Sequence, residues 1–201
     1  MPRYRFDIEQ QTPEWFAEKL GKFSASNFHI FLGNSQTKEE KLWEKVGERR
    51  WLDSDVEQFI NQYTERGKIL EHEARRLYSA INAIEVKEVG LIEEDGEFDT
   101  WAVCSPDGLV GDDGIIEIKS LIAKNFLQLT DPKSKKYEHI PPEHRTQMQY
   151  NMFVTGRSWC DYCLYHPRGG LHVIRVDRDE EYIERIREAL RECIKFIEER
   201  L

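Results

Sequence analysis

The sequence predicts one mixed α/β domain, on the basis of its length, its composition and a change of hydrophobic period along the chain. Of the 201 residues, 39% are hydrophobic, 11% aromatic and 33% charged, which excludes disordered and fibrous classes and suffices for a buried core. The sequence has no internal repeat and no linker rich in Pro, Gly or Ser. We expect one folding unit over residues 1–201: a mixed central β-sheet flanked by helices, with a helical N-terminal part and a C-terminal amphipathic helix.

Helical patterns dominate the first eighty residues. Helices are expected from Trp15 to Leu20, from the hydroxyl caps at Ser24 and Ser26 to Leu32, from Lys38 to Leu52, and from Val56 to Ile81. The last of these has apolar residues at helical spacing, although Gly67 lies inside it.

The period then changes to two. Strands are expected at Val86–Ile92, Asp99–Cys104 and Gly114–Ser120, with turns near Gly96 and at 111–114. A helix at Pro142–Val154, two strands at Trp159–Tyr165 and Leu171–Val176, and an amphipathic helix with an apolar stripe from Ile183 to Ile197 complete the order.

Charge and cysteine content narrow the classes of protein. The 29 basic and 38 acidic residues give a net charge of −9, which argues against binding polyanions through overall charge. A nucleic-acid enzyme can still gather basic residues on one surface and use divalent cations. No apolar run approaches the ~18 residues of a membrane helix, so we expect a cytoplasmic protein with four free thiols. Cys160 and Cys163 would point to opposite faces of a strand, which disfavours a zinc site.

Three polar residues around a turn give the first functional signal. Asp107 precedes the 111–114 turn, and Glu117 and Lys119 follow it in an apolar strand. Side chains alternate along a strand, so Glu117 and Lys119 share one face, and folding across the turn brings Asp107 beside Glu117. Carboxylates suit a hard cation such as Mg²⁺, and a charged pair in an apolar strand needs a partner or a metal. The alternative is a solvent-facing hairpin that carries these residues by chance.

These residues, with several other blocks in the same order, resemble the lambda-exonuclease (YqaJ) family of viral recombinases. Pro106-Asp107 with Glu117-Ile118-Lys119 matches the PD-(D/E)XK nuclease motif. The other matching blocks are Trp15, Leu20-Gly21, Ser24-Ala25-Ser26, Gly67-Lys68 with Glu71, and residues 147–155. The resemblance extends over about residues 15 to 180 and implies a restriction-endonuclease-like core.

The resemblance also implies a catalytic role for each motif residue. Asp107 and Glu117 would bind Mg²⁺ together with the Ile118 carbonyl, with two ions in each site and Mn²⁺ as a substitute. Lys119 would orient or activate the attacking water and stabilise the transition state. Glu71 would complete the site through a metal-bound water. Without the resemblance, Glu71 is an ordinary exposed helix residue.

Two further groups would contact DNA. By the resemblance, the terminal 5′-phosphate would be bound by Lys19, Ser26, Ser105 and Gln147, whose side chains supply suitable donors. The family's namesake has an arginine in place of Lys19, and a lysine cannot make its two-pronged contact. The stretch from Lys119 to Lys136 is rich in lysine and is expected to follow the DNA backbone through Lys124, Lys133, Lys135 and Lys136.

The implied function is a Mg²⁺-dependent exonuclease that digests one strand of duplex DNA from its 5′ end and leaves a 3′ single strand for recombination. The resemblance also implies a ring-shaped homotrimer, a single-strand annealing protein as partner, and a phage or prophage origin in a bacterial cell. Two alternatives remain open. One is an endonuclease of the same fold that acts on DNA junctions or flaps, and the other is a DNA-binding or assembly module without catalysis.

Overall fold

The computed structural model describes residues 1–33, 35–51 and 62–201. Its helices are α1 (Pro13–Lys19), a 3₁₀ helix (Ala25–Leu32), α2 (Gln36–Trp51), α3 (Gln62–Asn82), α4 (Ala123–Thr130), α5 (Pro142–Thr155) and α6 (Glu180–Glu198). The expected start of the third long helix at Val56 lies outside the described residues. The described part of α3 continues through Gly67, and α5 ends at Gly156, whose φ of 71° is readily adopted by glycine.

The strands of the described residues form two sheets. They are β1 (Arg3–Arg5), β2 (Phe23–Ser24), β3 (Val86–Lys87), β4 (Leu91–Glu93), β5 (Ala102–Cys104), β6 (Gly108–Val110), β7 (Gly114–Ser120), β8 (Trp159–His166) and β9 (Gly170–Asp177). The four-stranded sheet has the order β1-β4-β5-β2, and the five-stranded sheet has the order β3-β6-β7-β8-β9. Each sheet contains one parallel pair, β2 with β5 and β7 with β8. The expected mixed α/β class is confirmed, and its strands divide between two sheets.

The expected strand Val86–Ile92 is wrong as one element. The chain leaves the five-stranded sheet after Lys87 and enters the other sheet at Leu91. The N-terminal segment causes this change, because Arg5 pairs with Leu91 in the β1–β4 ladder and the Arg5 carbonyl accepts a hydrogen bond of 3.1 Å from the Gly90 amide. Strand β1 is short and carries two arginines, so no local pattern indicates it.

Three other elements differ from expectation. The strand expected from Asp99 begins only at Ala102, because a turn with a left-handed Thr100 (φ 67°) precedes it. Strand β6 was missed because it has only three residues between the motif and the turn. Helix α4 lies within the lysine-rich stretch from Lys119 to Lys136, for which no helix was expected, and its buried Phe126 anchors it to the protein.

The five-stranded sheet is covered on both faces. Ile116 and Ile118 of β7 pack with Ala74 and Tyr78 of α3 on one side. Ile115 belongs to the larger core, which also contains the buried stripe of α6 and most of α5. The two charged residues of β7, Glu117 and Lys119, therefore lie in a strand with apolar residues on both faces. All four cysteines are buried and free, and no described helix is long and apolar enough to cross a membrane.

Candidate active site

The hairpin of β6 and β7 places the two motif carboxylates next to each other. Gly108 pairs with Ile116, so Asp107 stands opposite Glu117 at the end of the ladder. Asp107 Oδ2 accepts a hydrogen bond of 2.6 Å from the Ile118 amide, which fixes the carboxylate against β7. The expected juxtaposition of Asp107 and Glu117 across the turn is thus observed.

Lys119 and Asn151 hold the Glu117 carboxylate from two sides. Lys119 Nζ lies 2.7 Å from Glu117 Oε1 and 3.3 Å from Gln147 Oε1. Asn151 Nδ2 donates to Glu117 Oε2 at 3.3 Å. Glu117 is only 1% exposed, so its carboxylate is almost completely removed from solvent. Asn151 had no assigned role in the sequence, although it lies one helical turn after Gln147.

Glu71 of α3 lines the same cleft as the Asp107 and Glu117 carboxylates. Its Oε1 is 2.6 Å from Arg75 Nη2, and Arg75 Nε donates to the Asp107 carbonyl at 2.8 Å. The third guanidinium nitrogen lies 2.6 Å from Glu88. Arg75 is 8% exposed and ties the helix to the Asp107 loop. Sequence reasoning missed Arg75, although its i, i+4 spacing from Glu71 is a recognisable ion-pair signal.

The carboxylates repel one another in a site with little solvent. Burial and then the nearby Glu117 and Glu71 carboxylates raise the pKa of Asp107 well above its ordinary value. Burial likewise raises the pKa of Glu71, although Arg75 opposes this. Burial alone would lower the pKa of Lys119, but Glu117 and Asp107 outweigh it and raise that pKa, so Lys119 is a cation.

One cleft of about 210 Å³, here called the hairpin cleft, collects the predicted site residues. It is lined by Gln10, Trp15, Lys19, Ser24, Ala25, Ser26, Glu71, Ser105, Asp107, Glu117, Ile118, Lys119 and Gln147. This set includes every residue predicted for catalysis, metal binding or the 5′-phosphate. The four lysines expected along the DNA backbone, Lys124, Lys133, Lys135 and Lys136, are exposed and do not line the cleft.

Lys19 and Ser105, two of the residues predicted for the 5′-phosphate, both contact Trp15 in the hairpin cleft, and Ser105 Oγ donates to the Gly90 carbonyl at 2.8 Å. Lys19 Nζ lies 3.6 Å from the centre of the Trp15 ring. The Trp15 indole nitrogen donates to Ser105 Oγ and to the Gly90 carbonyl, both at 2.9 Å. Burial, and then the charge of Lys45, lower the pKa of Lys19 to about 8. An anion in this cleft would stabilise the protonated form of Lys19 and gain a charge-assisted contact.

The donor set of the hairpin cleft fits a hard divalent cation. Asp107 and Glu117 supply carboxylate oxygens, and Ile118 also lines the cleft and can offer its backbone carbonyl. The raised pKa of Asp107 shows that its negative charge lacks sufficient compensation from the protein alone. Among the described residues, no three His, Cys, Asp or Glu side chains are grouped closely enough to hold a metal by themselves. The two carboxylates would therefore need the carbonyl, water or substrate oxygens as further ligands.

The histidines, to which the sequence assigned no role, include one beside this site. His144 Nδ1 lies 2.6 Å from the Tyr162 hydroxyl, and Tyr162 pairs with Glu117 in the β7–β8 ladder. Burial, and then the Lys119 charge, lower the pKa of His144 to about 4. His144 is therefore neutral at pH 7 and adds no positive charge to the site.

Comparison with known proteins identifies the family. The YqaJ-like viral recombinase domain matches residues 14–158, which include the hairpin and the residues of both ends of the cleft. The chain belongs to this YqaJ-like family. The predicted resemblance and the prediction of a deoxyribonuclease are thereby confirmed. No curated protein sequence matches the chain.

Solved structures agree with the YqaJ-like assignment. An alkaline exonuclease from Laribacter hongkongensis is 31% identical, with a TM-score of 0.80 and coverage of 93% of each chain. The same exonuclease in complex with dAMP gives a TM-score of 0.81 at 31% identity and the same coverage. A phage-related exonuclease from Haemophilus somnus, at 18% identity and TM-score 0.66, covers 89% of this chain and 94% of its own and shares the fold. The restriction-endonuclease-like fold predicted for the YqaJ-like chain is confirmed.

Proposed function

We propose that the protein is a Mg²⁺-dependent exonuclease that removes nucleotides from the 5′ end of duplex DNA and leaves a 3′ single strand. One observation carries the proposal. The acidic residues of the motif and four donors suited to a phosphate line the same cleft of about 210 Å³. A terminal phosphate held at one end of so small a cleft would bring the first phosphodiester bond to the carboxylates at the other.

Asp107, Glu117 and the Ile118 carbonyl would hold the metal ion. When bound, Mg²⁺ or Mn²⁺ lowers the pKa of water and offsets negative charge on the phosphate, which is the chemistry that phosphodiester hydrolysis requires. Arg75 holds the Asp107 loop and Glu71 in place, and Asn151 holds Glu117. The chain thus presents oxygen ligands in fixed positions before substrate arrives, which reduces the reorganisation needed during the reaction.

Lys119 would act on the attacking water and on the scissile phosphate. The neighbouring carboxylates keep its ammonium protonated, so it is a hydrogen-bond donor and cannot itself serve as a general base. Its charge would orient the water and stabilise the negative charge that develops on the phosphate oxygens. Gln147, which lies 3.3 Å from Lys119 Nζ, links this group to the end that would bind the 5′-phosphate.

The polarity of digestion would follow from Lys19, Ser26, Ser105 and Gln147. A 5′-phosphorylated end offers them a dianion, whereas a 5′-hydroxyl end offers no charge. The similar alkaline exonuclease from Laribacter hongkongensis and its complex with dAMP also support exonuclease action on nucleotide substrates. The exposed lysines from Lys124 to Lys136 would contact the DNA backbone outside the cleft.

Linear duplex DNA labelled separately at its 5′ and 3′ ends tests this proposal. With Mg²⁺, the 5′ label should appear as a mononucleotide while the 3′ label stays on a long strand. A chelator should stop release of the 5′ label. Circular duplex without ends should persist. Early release of the 3′ label would contradict the polarity, and cleavage of the circle would favour the alternative of an endonuclease with the same fold.

A further inference from the structure

A second cleft, here called the N-terminal cleft, adjoins the hairpin cleft. It has a volume of about 420 Å³ and lies between the segment 6–11, helix α3 around Lys68 and His72, and residues 88–90. Gln10, Glu71 and Asp107 line both clefts. Glu71 and Asp107 therefore stand at the border between them, and of these two clefts the four donors proposed for the 5′-phosphate line only the hairpin cleft.

The wall of the N-terminal cleft is held firmly by backbone contacts. Gln10 Nε2 donates to the Val89 carbonyl at 2.9 Å and to the Pro106 carbonyl at 3.3 Å. A Cβ on Gly90 would lie 1.8 Å from the Ile8 carbonyl oxygen, so only glycine permits this approach. The segment is thus fixed against the loop that leads to Asp107, and its side chains keep a defined position relative to the site.

Gln11 has two unusual features for a residue in this wall. Its φ of 64° lies in the left-handed region, which is unfavourable for a residue with a side chain. Its Oε1 is shielded from solvent and has no hydrogen-bond partner among the described residues. Gln11 lines the cleft and the terminal torsion of glutamine is soft, so rotation of the amide can present this oxygen to an N–H donor inside the cleft. An unpaired buried acceptor gains free energy from such a donor.

Phe6 supplies an apolar surface at the rim. It is 61% exposed, and its ring is parallel to that of Tyr4, with centroids 6.1 Å apart and an interplanar angle of 10°. A base that stacks on Phe6 would extend this pair of rings.

The charges in the N-terminal cleft favour a base over a phosphate. Arg75 is engaged by Glu71 and Glu88, and the carboxylate of Asp7 is held by Arg5 at 3.0 Å. Lys68 also lines the cleft, but the carboxylates of Glu9, Glu71, Glu88 and Asp107 outnumber the cations there. The cleft therefore suits the N–H groups of a nucleobase and repels a phosphate.

We propose that the N-terminal cleft binds the nucleobase on the 3′ side of the scissile phosphate, with Phe6 stacking on the base and Gln11 accepting a hydrogen bond from it. This assignment rests on the proposed function. If the 5′-phosphate occupies the hairpin cleft and the scissile phosphate lies at the carboxylates, the rest of the strand must leave across their border. The N-terminal cleft is the concavity that adjoins this border.

Single-turnover cleavage of the first bond of a 5′-phosphorylated duplex tests the assignment. One substrate has an ordinary second nucleotide in the 5′-ended strand, and the other has an abasic second nucleotide. The native protein should cut the abasic substrate at about one fifth of the ordinary rate or at a lower rate, because it loses stacking of that base. Phe6→Ala and Gln11→Gly should slow the ordinary substrate and bring the ratio of the two rates towards one.

Two matched variants control for effects on folding. Thr100→Gly replaces a second left-handed residue, which is exposed and lies outside both clefts. Ile81→Ala removes an apolar side chain that is 63% exposed, about as exposed as Phe6. Both should keep the native ratio. Equal rates of the native protein on the two substrates, or a native ratio in Phe6→Ala and Gln11→Gly, would overturn the assignment alone. Failure to release the 5′ nucleotide from the ordinary duplex would overturn the proposed function and the assignment with it.

Discussion

Individual residues of the hairpin cleft are arranged at the expense of stability. Glu117 is a buried charge, and its ion pair with Lys119 does not by itself guarantee a favourable contribution to folding. Asp107 is placed beside it, and burial raises its pKa, so ionisation of this carboxyl opposes folding. A divalent cation bound between these groups would remove that opposition.

Asp107→Asn should therefore inactivate the protein and stabilise it. The amide keeps an oxygen for the Ile118 amide but removes a metal ligand, so we expect cleavage to fall about a thousandfold or more. In chelator at pH 8, we expect the thermal midpoint to rise by about 2–4 °C, which corresponds to roughly 1 kcal/mol for a chain of this size. Cleavage assays and thermal unfolding measure the two effects.

The pH dependence gives this prediction its control. The pKa of Asp107 is higher in the folded protein than in the unfolded chain, where it is about 3.9. The native protein therefore loses stability as the pH rises from the unfolded pKa through the folded pKa. The advantage of Asp107→Asn should therefore be larger at pH 8 than at pH 4. Added Mg²⁺ should raise the midpoint of the native protein only. A variant less stable than the native protein at pH 8 would contradict the account.

Lys19 should make the preference for a 5′-phosphate depend on pH. Its pKa of about 8 means that its charge is present below pH 8 and lost above it. The ratio of kcat/KM for 5′-phosphoryl over 5′-hydroxyl ends should fall as pH rises from 7 to 9, because kcat/KM reports groups of the free enzyme. Lys19→Arg, which stays charged, should show a flatter profile. An unchanged profile in Lys19→Arg would remove Lys19 from the phosphate site.

At the scale of elements, the N-terminal segment and the β3–β4 connection support the site together. Strand β1 pairs with β4 in the four-stranded sheet, and the backbone of Arg5 and Ile8 lies close to Gly90. The Trp15 indole also donates to the Gly90 carbonyl, so α1 is anchored to the same point. A change at Gly90 should thus reach both clefts.

Gly90→Ala should lower stability and activity together. The added methyl would lie 1.8 Å from the Ile8 carbonyl oxygen, and displacing backbone of this kind costs on the order of 1–3 kcal/mol. We expect a fall in the thermal midpoint of several degrees, with a lower rate of 5′-end cleavage. Gly67→Ala is the matched control, because nothing lies within 4 Å of its Cβ and alanine favours a helix. A neutral Gly90→Ala would show that the segment can move.

The sequence predicted the long elements well and the short ones poorly. Helices α5 and α6 and strands β7 to β9 have clear periods, and the structure has them within two or three residues of expectation. Strand β6 has only three residues, and β1 depends on pairing with the distant β4, which no local pattern encodes. The motif residues were predictable because the alternation of β7 and a turn bring them together. Arg75 and Gln11 were not, because their roles arise from contacts with distant backbone and from a left-handed φ.

At the scale of the whole molecule, an exonuclease with net charge −9 that digests processively would have to hold a polyanion through many cycles. Closure of three chains around the DNA would solve this problem, with the segments from Lys119 to Lys136 turned towards a central channel. Head-to-tail contacts that close by rotation give such rings. A single-strand annealing protein would then receive the 3′ strand as it is exposed.

Light scattering should report three chains of 23.9 kDa in each particle. Degradation of long duplexes should continue when excess competitor DNA is added after initiation, because an enclosed duplex can leave only from an end. Lys124→Glu combined with Lys135→Glu should shorten each run of degradation and leave cleavage of the first bond nearly unchanged. A monomer at working concentration, or immediate arrest by the competitor, would refute the ring.

The parallel pairing of β7 with β8 bears on when a newly made chain becomes active. Strand β7 carries Glu117 and Lys119, but its neighbour in the sheet begins only at Trp159, after α4 and α5. During synthesis the β8-facing edge of β7 therefore stays unpaired until β8 is made, and an unpaired strand edge favours aggregation. Gln147 also arrives late. We expect a ribosome-bound fragment that ends before α5 to contain the motif in full and still to lack nuclease activity.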